Sequence, residues 1–318
     1  MMGRRWLQNK VAESRLTLPV SVALFIVVRL FQGVGVSFAA AAAALLCLCT
    51  AAVMLETNVA LQILRVRSCL GESLWLLLAA AMPFLYGLGA PAVCAFCLAA
   101  GMGLLLCCYQ NRNAVLLVFH SFLFLGAGSL LSPVMIPLAL LFYFCLAFLM
   151  RAFSWKGLWA GIVGLLTPYW CWVAWEACVG DVMRVADHVL ALWLWVLDWD
   201  GLSLLPAVRL LPVWCLLVFF GLTGIIHYMR KRYDDKIRTR MMLYVYVCVT
   251  VFLHVAFLLL PGQRMELLAM MAVSTSPLMA HYWAMTRGRV GWIVLIVSLV
   301  GWLAVLALAS LNETLTHN

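Results

Sequence analysis

Eleven apolar stretches, each close to the roughly 20 residues that carry a helix across a bilayer, follow one another along this sequence. They run from Leu16 to Phe31, Gly35 to Leu55, Ser73 to Gly89, Pro91 to Tyr109, Ala114 to Leu131, Pro133 to Met150, Leu158 to Cys178, Leu210 to Tyr228, Met242 to Leu260, Leu267 to Ala284 and Val290 to Ala309. Hydrophobic residues make up 67% of the 318-residue chain and charged residues only 10%, against about 25% charged in soluble domains. A soluble fold of that composition would hold more core than its surface could cover, whereas lipid solvates apolar side chains directly. The expectation is an all-α fold, a polytopic transmembrane helix bundle of about eleven spans. It would form one domain over residues 1–318, with no soluble domain.

The charges set an orientation. With the N-terminus in the cytoplasm, the inner segments receive 17 of the 21 basic residues and the outer ones keep Arg29, Arg184, Arg209 and Arg264. That asymmetry follows the positive-inside rule and places the C-terminus in the periplasm. It also explains the net charge of +9 without nucleic acid, so no nucleic-acid partner is expected. The segment MRKRYDDKIRTR, with six basic residues and two aspartates, reads as helix ends gripping anionic headgroups. Membrane lipids are therefore the first expected partners; a homo-oligomer is compatible with the pattern. The stretch Glu56 to Glu72 reads as an amphipathic segment along the inner surface.

Of the 12 cysteines, most lie inside apolar runs and act as small hydrophobes. Cys94 and Cys97 make a C-x-x-C in an apolar context without a second ligand pair, so neither a metal nor a cofactor is expected. His120, His254 and His281 fall inside spans, with His227 near the inner end of another. They read as neutral histidines bonded to neighbouring helices. Pro83, Pro168 and Pro277 fall within spans and free backbone carbonyls there. Ser274, Thr275 and Ser276, just before Pro277, are placed to cap that break. Gly157 and Gly161, four apart, put small residues on one helix face for close packing.

The richest polar stretch is 180–209, read as a periplasmic loop with an interfacial or re-entrant helix. Asp181, Arg184, Asp187 and His188 recur at helical spacing and share one face. Trp193, Trp195 and Trp199 among aliphatics suit an interface. Asp198 and Asp200 flank Trp199, Gly201 makes a turn, and Arg209 opens the next span. Glu176 closes the aromatic run Tyr169, Trp170, Trp172, Trp175. At this lip Arg184 and Arg209, with Trp199, are the candidate substrate-binding residues, because guanidinium groups fit phosphate. Glu176, Asp187, His188, Asp198 and Asp200 are the candidate catalytic residues, as proton-moving groups.

The segments ETNVALQILRVRSCLGESLWLLLAA, FHSFLFLGAGSLLSP and GLLTPYW resemble an uncharacterised family of multi-pass integral membrane proteins of Bacteroidota. The resemblance covers about the first half of the chain and implies the bacterial inner (cytoplasmic) membrane. Polyprenyl-dependent glycosyltransferases are expected to carry an acid in the first outer loop, where this chain has Arg29 and none. Surface-polysaccharide polymerases and ligases are similar in architecture only. The expected function is handling of a lipid-linked or amphiphilic substrate, including a polyprenyl-linked one, at the periplasmic face by glycan transfer, polymerisation or flipping. A secondary transporter or permease and a non-catalytic membrane assembly factor stand as alternatives, and the sequence leaves enzyme or non-enzyme open.

Overall fold

The computed structural model describes residues 14, 16–32, 37–64, 68–180, 183–197, 204–286 and 288–317. Among them are twelve α-helices and no strand. They are α1 (Thr17–Phe31), α2 (Phe38–Leu61), α3 (Leu70–Ala80), α4 (Ala90–Cys107), α5 (Val115–Ser129), α6 (Met135–Phe144), α7 (Trp155–Val179), α8 (Met183–Leu197), α9 (Leu204–Lys231), α10 (Ile237–Leu259), α11 (Arg264–Met285) and α12 (Arg289–His317). Six of these helices, α2, α4, α7, α9, α10 and α12, are long and apolar enough to cross a membrane. The helices are compatible with a multi-pass membrane protein.

Local chemistry accounts for the helix ends. Ser37 accepts from Ala40 N at the start of α2, and Ser154 accepts from Gly157 N at the start of α7. Each side chain satisfies one of the amides that a first turn leaves open. α7 ends on Gly180 at φ 102°, a left-handed closure that glycine adopts without a Cβ penalty.

The hub is α11. Helices α3, α4, α9 and α10 all pack on it, and it is buried along nearly its whole length. Its hydroxyls are satisfied internally: Thr275 donates to Met271 O at 2.8 Å and Ser276 to Ala272 O at 2.6 Å. Ser274 also donates to Met271 O and accepts from Thr250 of α10 at 3.0 Å. The three hydroxyls before Pro277 therefore serve the helix and its neighbour.

The tightest helix pair is α5 with α7. A Cβ on Gly126 would run into the Leu165 carbonyl, and one on Gly164 would run into that of Phe119. Gly161 faces the Tyr143 hydroxyl, which donates to Leu158 O at 2.8 Å. The close crossing thus uses Gly164 and Gly126. Of the expected glycine pair, Gly157 has only its own cap hydroxyl, Ser154 Oγ, and Val118 within reach.

Three expectations change. Pro83 is not inside a helix: α3 stops at Ala80, and Pro83–Leu85 form a 3-10 turn before α4. Arg29 is not in a loop but in α1, 5% exposed. It donates to Leu85 O (3.1 Å), Tyr86 O (2.8 Å) and Ala40 O (3.3 Å), with its guanidinium against the Phe25 and Tyr86 rings. It thereby fills the acceptors that the break after α3 exposes. Finally, the stretch from Glu56 to Glu72 does not lie along a surface as one element. Its first part completes α2, and Glu72 enters α3 with 2% exposure.

Candidate functional site

The expected outer residues fall into two groups. Glu176, in the last turn of α7, is buried and accepts from Trp172 Nε1 at 3.1 Å through Oε1, while its Oε2 has no partner. His188 of α8 donates from Nε2 to Leu130 O at 2.8 Å, and its ring stands edge-on to Trp172 at 4.9 Å. Glu176, Trp172 and His188 thus form one contact that seats α8 on α7 and on the turn after α5. Arg184 and Asp187 are exposed on α8. Asp181, Asp198, Trp199 and Asp200 lie outside the described residues, as does the side chain of Arg209 in α9. The described residues therefore bring together an anchoring contact at this lip.

The opposite end holds a second set of buried ionisable groups. Asp235, in the segment joining α9 to α10, turns inward, and its Oδ2 lies 3.1 Å from His281 Nε2 of α11. The two side chains are 1% and 2% exposed. The ring of His227, on α9, sits 5.8 Å from that of His281 and edge-on to Tyr282 at 5.0 Å. Tyr228 donates to Arg240 O at 2.7 Å, binding the end of α9 to the start of α10. The neighbouring Asp234 instead makes an exposed contact with Lys231 at 3.8 Å. Adjacent aspartates therefore have different roles: Asp234 meets solvent, and Asp235 enters the bundle against a histidine.

At the same end of the bundle lies Glu72, in the first turn of α3. Its Oε1 accepts from Asn58 Nδ2 of α2 at 3.2 Å, and the same amide donates to Ser68 O at 2.9 Å. Glu72 Oε2 is buried without a partner. Gly71 packs on Pro277 and Ala280 of α11, one residue before His281. A void of about 10 Å³, lined by Glu72, Asn58, Gly71, Tyr246 and Pro277 among others, adjoins the carboxylate.

On the other side of the same turn of α3 is a cleft of about 230 Å³ between α1, α3, α9, α11 and α12. Ser73, Leu74, Phe220, Trp283, Ser298 and Trp302 are among its walls. Its rim includes Leu24 and Leu299, both exposed. Ser21 and Ser298 donate to carbonyls of their own helices, and Trp302 Nε1 donates to Leu77 O. Ser73 Oγ and Trp283 Nε1 are buried with no partner. Typical ligand cavities span about 300–1,000 Å³, so this one suits a single chain segment rather than a whole lipid-linked sugar.

No family model, no curated protein and no solved structure matches the chain.

The site at this end was missed by sequence reasoning. Asp235 and His281 are 46 positions apart and Asn58 and Glu72 are 14 apart, so neither pair leaves a local motif. The one available signal was the acid of Gly-Glu-Ser opening an apolar helix. His227 and His281 were noted as histidines within or near spans, without the aspartate that contacts His281. His120 donates to Leu116 O of its own helix rather than to a neighbouring one; His254 donates to Thr250 O of its own helix and also faces the Leu217 backbone of α9. Among the described residues, no group of three or more His, Cys, Asp or Glu could hold a metal ion.

Proposed function

We propose that this chain is an integral protein of the bacterial inner membrane with about eleven spans. In this reading its N-terminus and basic segments lie in the cytoplasm, and it takes an amphiphilic substrate from the lipid at its basic end. The hydrocarbon chain would enter the cleft between α1 and α12. The carrying observation is that cleft: apolar walls, an exposed leucine rim, and two buried hydrogen-bonding groups, Ser73 Oγ and Trp283 Nε1, left without partners. An acceptor oxygen where that chain joins its head, such as an ester carbonyl, would satisfy them, and unsatisfied buried groups are costly enough to favour such an occupant. The polar head would then lie near the arginines and lysines between α9 and α10, which suit an anionic group. Relative to the periplasmic lip expected from sequence, this reading moves the working face to the other end of the bundle. There, buried ionisable groups and a cleft adjoin.

Membranes containing a phospholipid with a photoactivatable acyl chain test the reading. Cross-links are expected to concentrate on Leu74 and Leu299, and Ser298→Trp, which fills the cleft, should abolish them. Cross-links spread evenly over exposed faces of α7 and α12, unchanged by Ser298→Trp, would overturn it.

A secondary transporter is the second reading. It is favoured by Glu72, Asp235 and His281 buried around the proline-containing hub helix α11, the type of arrangement found along ion pathways.

A further inference from the structure

Glu72 is the feature of this molecule least explained by packing. A carboxylate in the first turn of a helix is ordinarily met by the free amides of that turn or by water. Here one oxygen holds Asn58 and the other holds nothing, although the residue is 2% exposed. Next to it is a void of about 10 Å³, close to the roughly 10–15 Å³ that one water needs. Asn58, half-buried, stands at its edge.

We propose that Glu72 is a proton-exchange site, loaded and emptied from the basic end of the bundle through this water-sized void. Loading forms an O–H bond on Oε2 and turns a hydronium ion into water. Unloading returns the proton to water and restores the carboxylate. The physical drive is the cost of an isolated buried charge, which neutralisation removes. The Asn58 amide acts in the other direction, because its N–H stabilises the charged form.

Among the described residues, the groups facing Glu72 do not supply a fixed counter-charge. Helix α2 contributes the neutral Asn58, and its Glu56 is exposed. Cys69 precedes α3 and Tyr246 of α10 lines the void. On α11 the nearest ionisable residue is His281, beyond Ala280, and it is already joined to Asp235. Among the described residues no lysine or arginine donates to the carboxylate. The site sits where α3 meets α11 at Pro277. A change of charge at Glu72 therefore acts on the contact between the hub and the helix that separates this void from the larger cleft. The inference holds whether that cleft takes an amphiphile or a transported solute.

Dicyclohexylcarbodiimide, which reacts with protonated carboxyls in apolar surroundings, is a direct probe. The full-length protein in membranes is treated across a pH series at fixed sodium concentration, and adducts are mapped by peptide mass spectrometry. The expected result is an adduct on Glu72 that is lost as pH rises, with the loss shifted to higher pH in Asn58→Ala. Absence of the adduct at every pH while Glu266 reacts, or an adduct independent of pH, would overturn the proposal. So would protection by added sodium at constant pH, which would assign the void to a metal cation. Glu72→Gln, nearly isosteric, serves as the control that removes the adduct without removing the Asn58 contact.

Discussion

Asp235 Oδ2 stands 3.1 Å from His281 Nε2 with both side chains nearly removed from solvent, and this contact fastens the segment between α9 and α10 to the hub helix α11. It is the one inward turn in a stretch that otherwise presents charge outward.

The pair is expected to matter more when half-broken than when wholly replaced. Removing one member of a buried hydrogen-bonded pair leaves the other unsatisfied at a cost of about 1–3 kcal/mol, while an apolar pair of the same shape is often nearly neutral. Asp235→Ala should therefore lower the thermal midpoint in detergent strongly, and Asp235→Leu with His281→Phe should recover much of the loss. Simple addition of the two single effects would show that the residues do not act as a pair.

The crossing of α5 with α7 predicts a sharp contrast among glycines. Gly126→Ala and Gly164→Ala push a methyl into backbone carbonyls of Leu165 and Phe119, and overpacking of this kind costs about 1–3 kcal/mol. Gly87→Ala, with open space around it, should leave the thermal midpoint unchanged. Equal tolerance at all three positions would contradict the close approach.

Arg29 seals the break after α3 with a planar fork that reaches three carbonyls. Lysine carries the charge but not the geometry. Both Arg29→Lys and Arg29→Met should destabilise the protein, each by roughly the 1.5–3 kcal/mol typical of hydrogen bonds to charged groups. Full stability in Arg29→Lys would mean that charge alone suffices there.

Glu176 gives a test of the outer lip. Glu176→Gln keeps an acceptor for Trp172 Nε1, so stability and the seating of α8 should hold to within about 1 kcal/mol. A large loss of cellular function in that variant, with normal protein level, would restore Glu176 as a proton-moving residue.

Orientation can be read with two exposed cysteines, Cys178 near the end of α7 and Cys107 at the end of α4. An eleven-span, N-in topology puts them on opposite sides. A membrane-impermeant maleimide should label Cys178 in intact spheroplasts and Cys107 only after permeabilisation. The reverse pattern would invert the proposed topology and move the Glu72 end to the periplasm.

The sequence alone determined that the chain is helical and where most helices lie. Backbone hydrogen bonds in a helix are local, and the length of an apolar run is a local property. The spacing of Arg184, Asp187 and His188 announced α8 in the same way, because helical periodicity is written within one segment. Tertiary structure alone decided which apolar helix became the hub. α11, buried on nearly every side, is not among the six long apolar helices, while α12 is among them and is largely exposed. Lipid and protein interior are equally apolar to a leucine, so hydropathy does not distinguish the two surroundings. Small and hydroxyl-bearing residues in α11 pack on neighbouring helices in a way that lipid does not reward. The meeting of Asn58 with Glu72, and of Asp235 with His281, depended on how those helix faces came together, which no local pattern encodes.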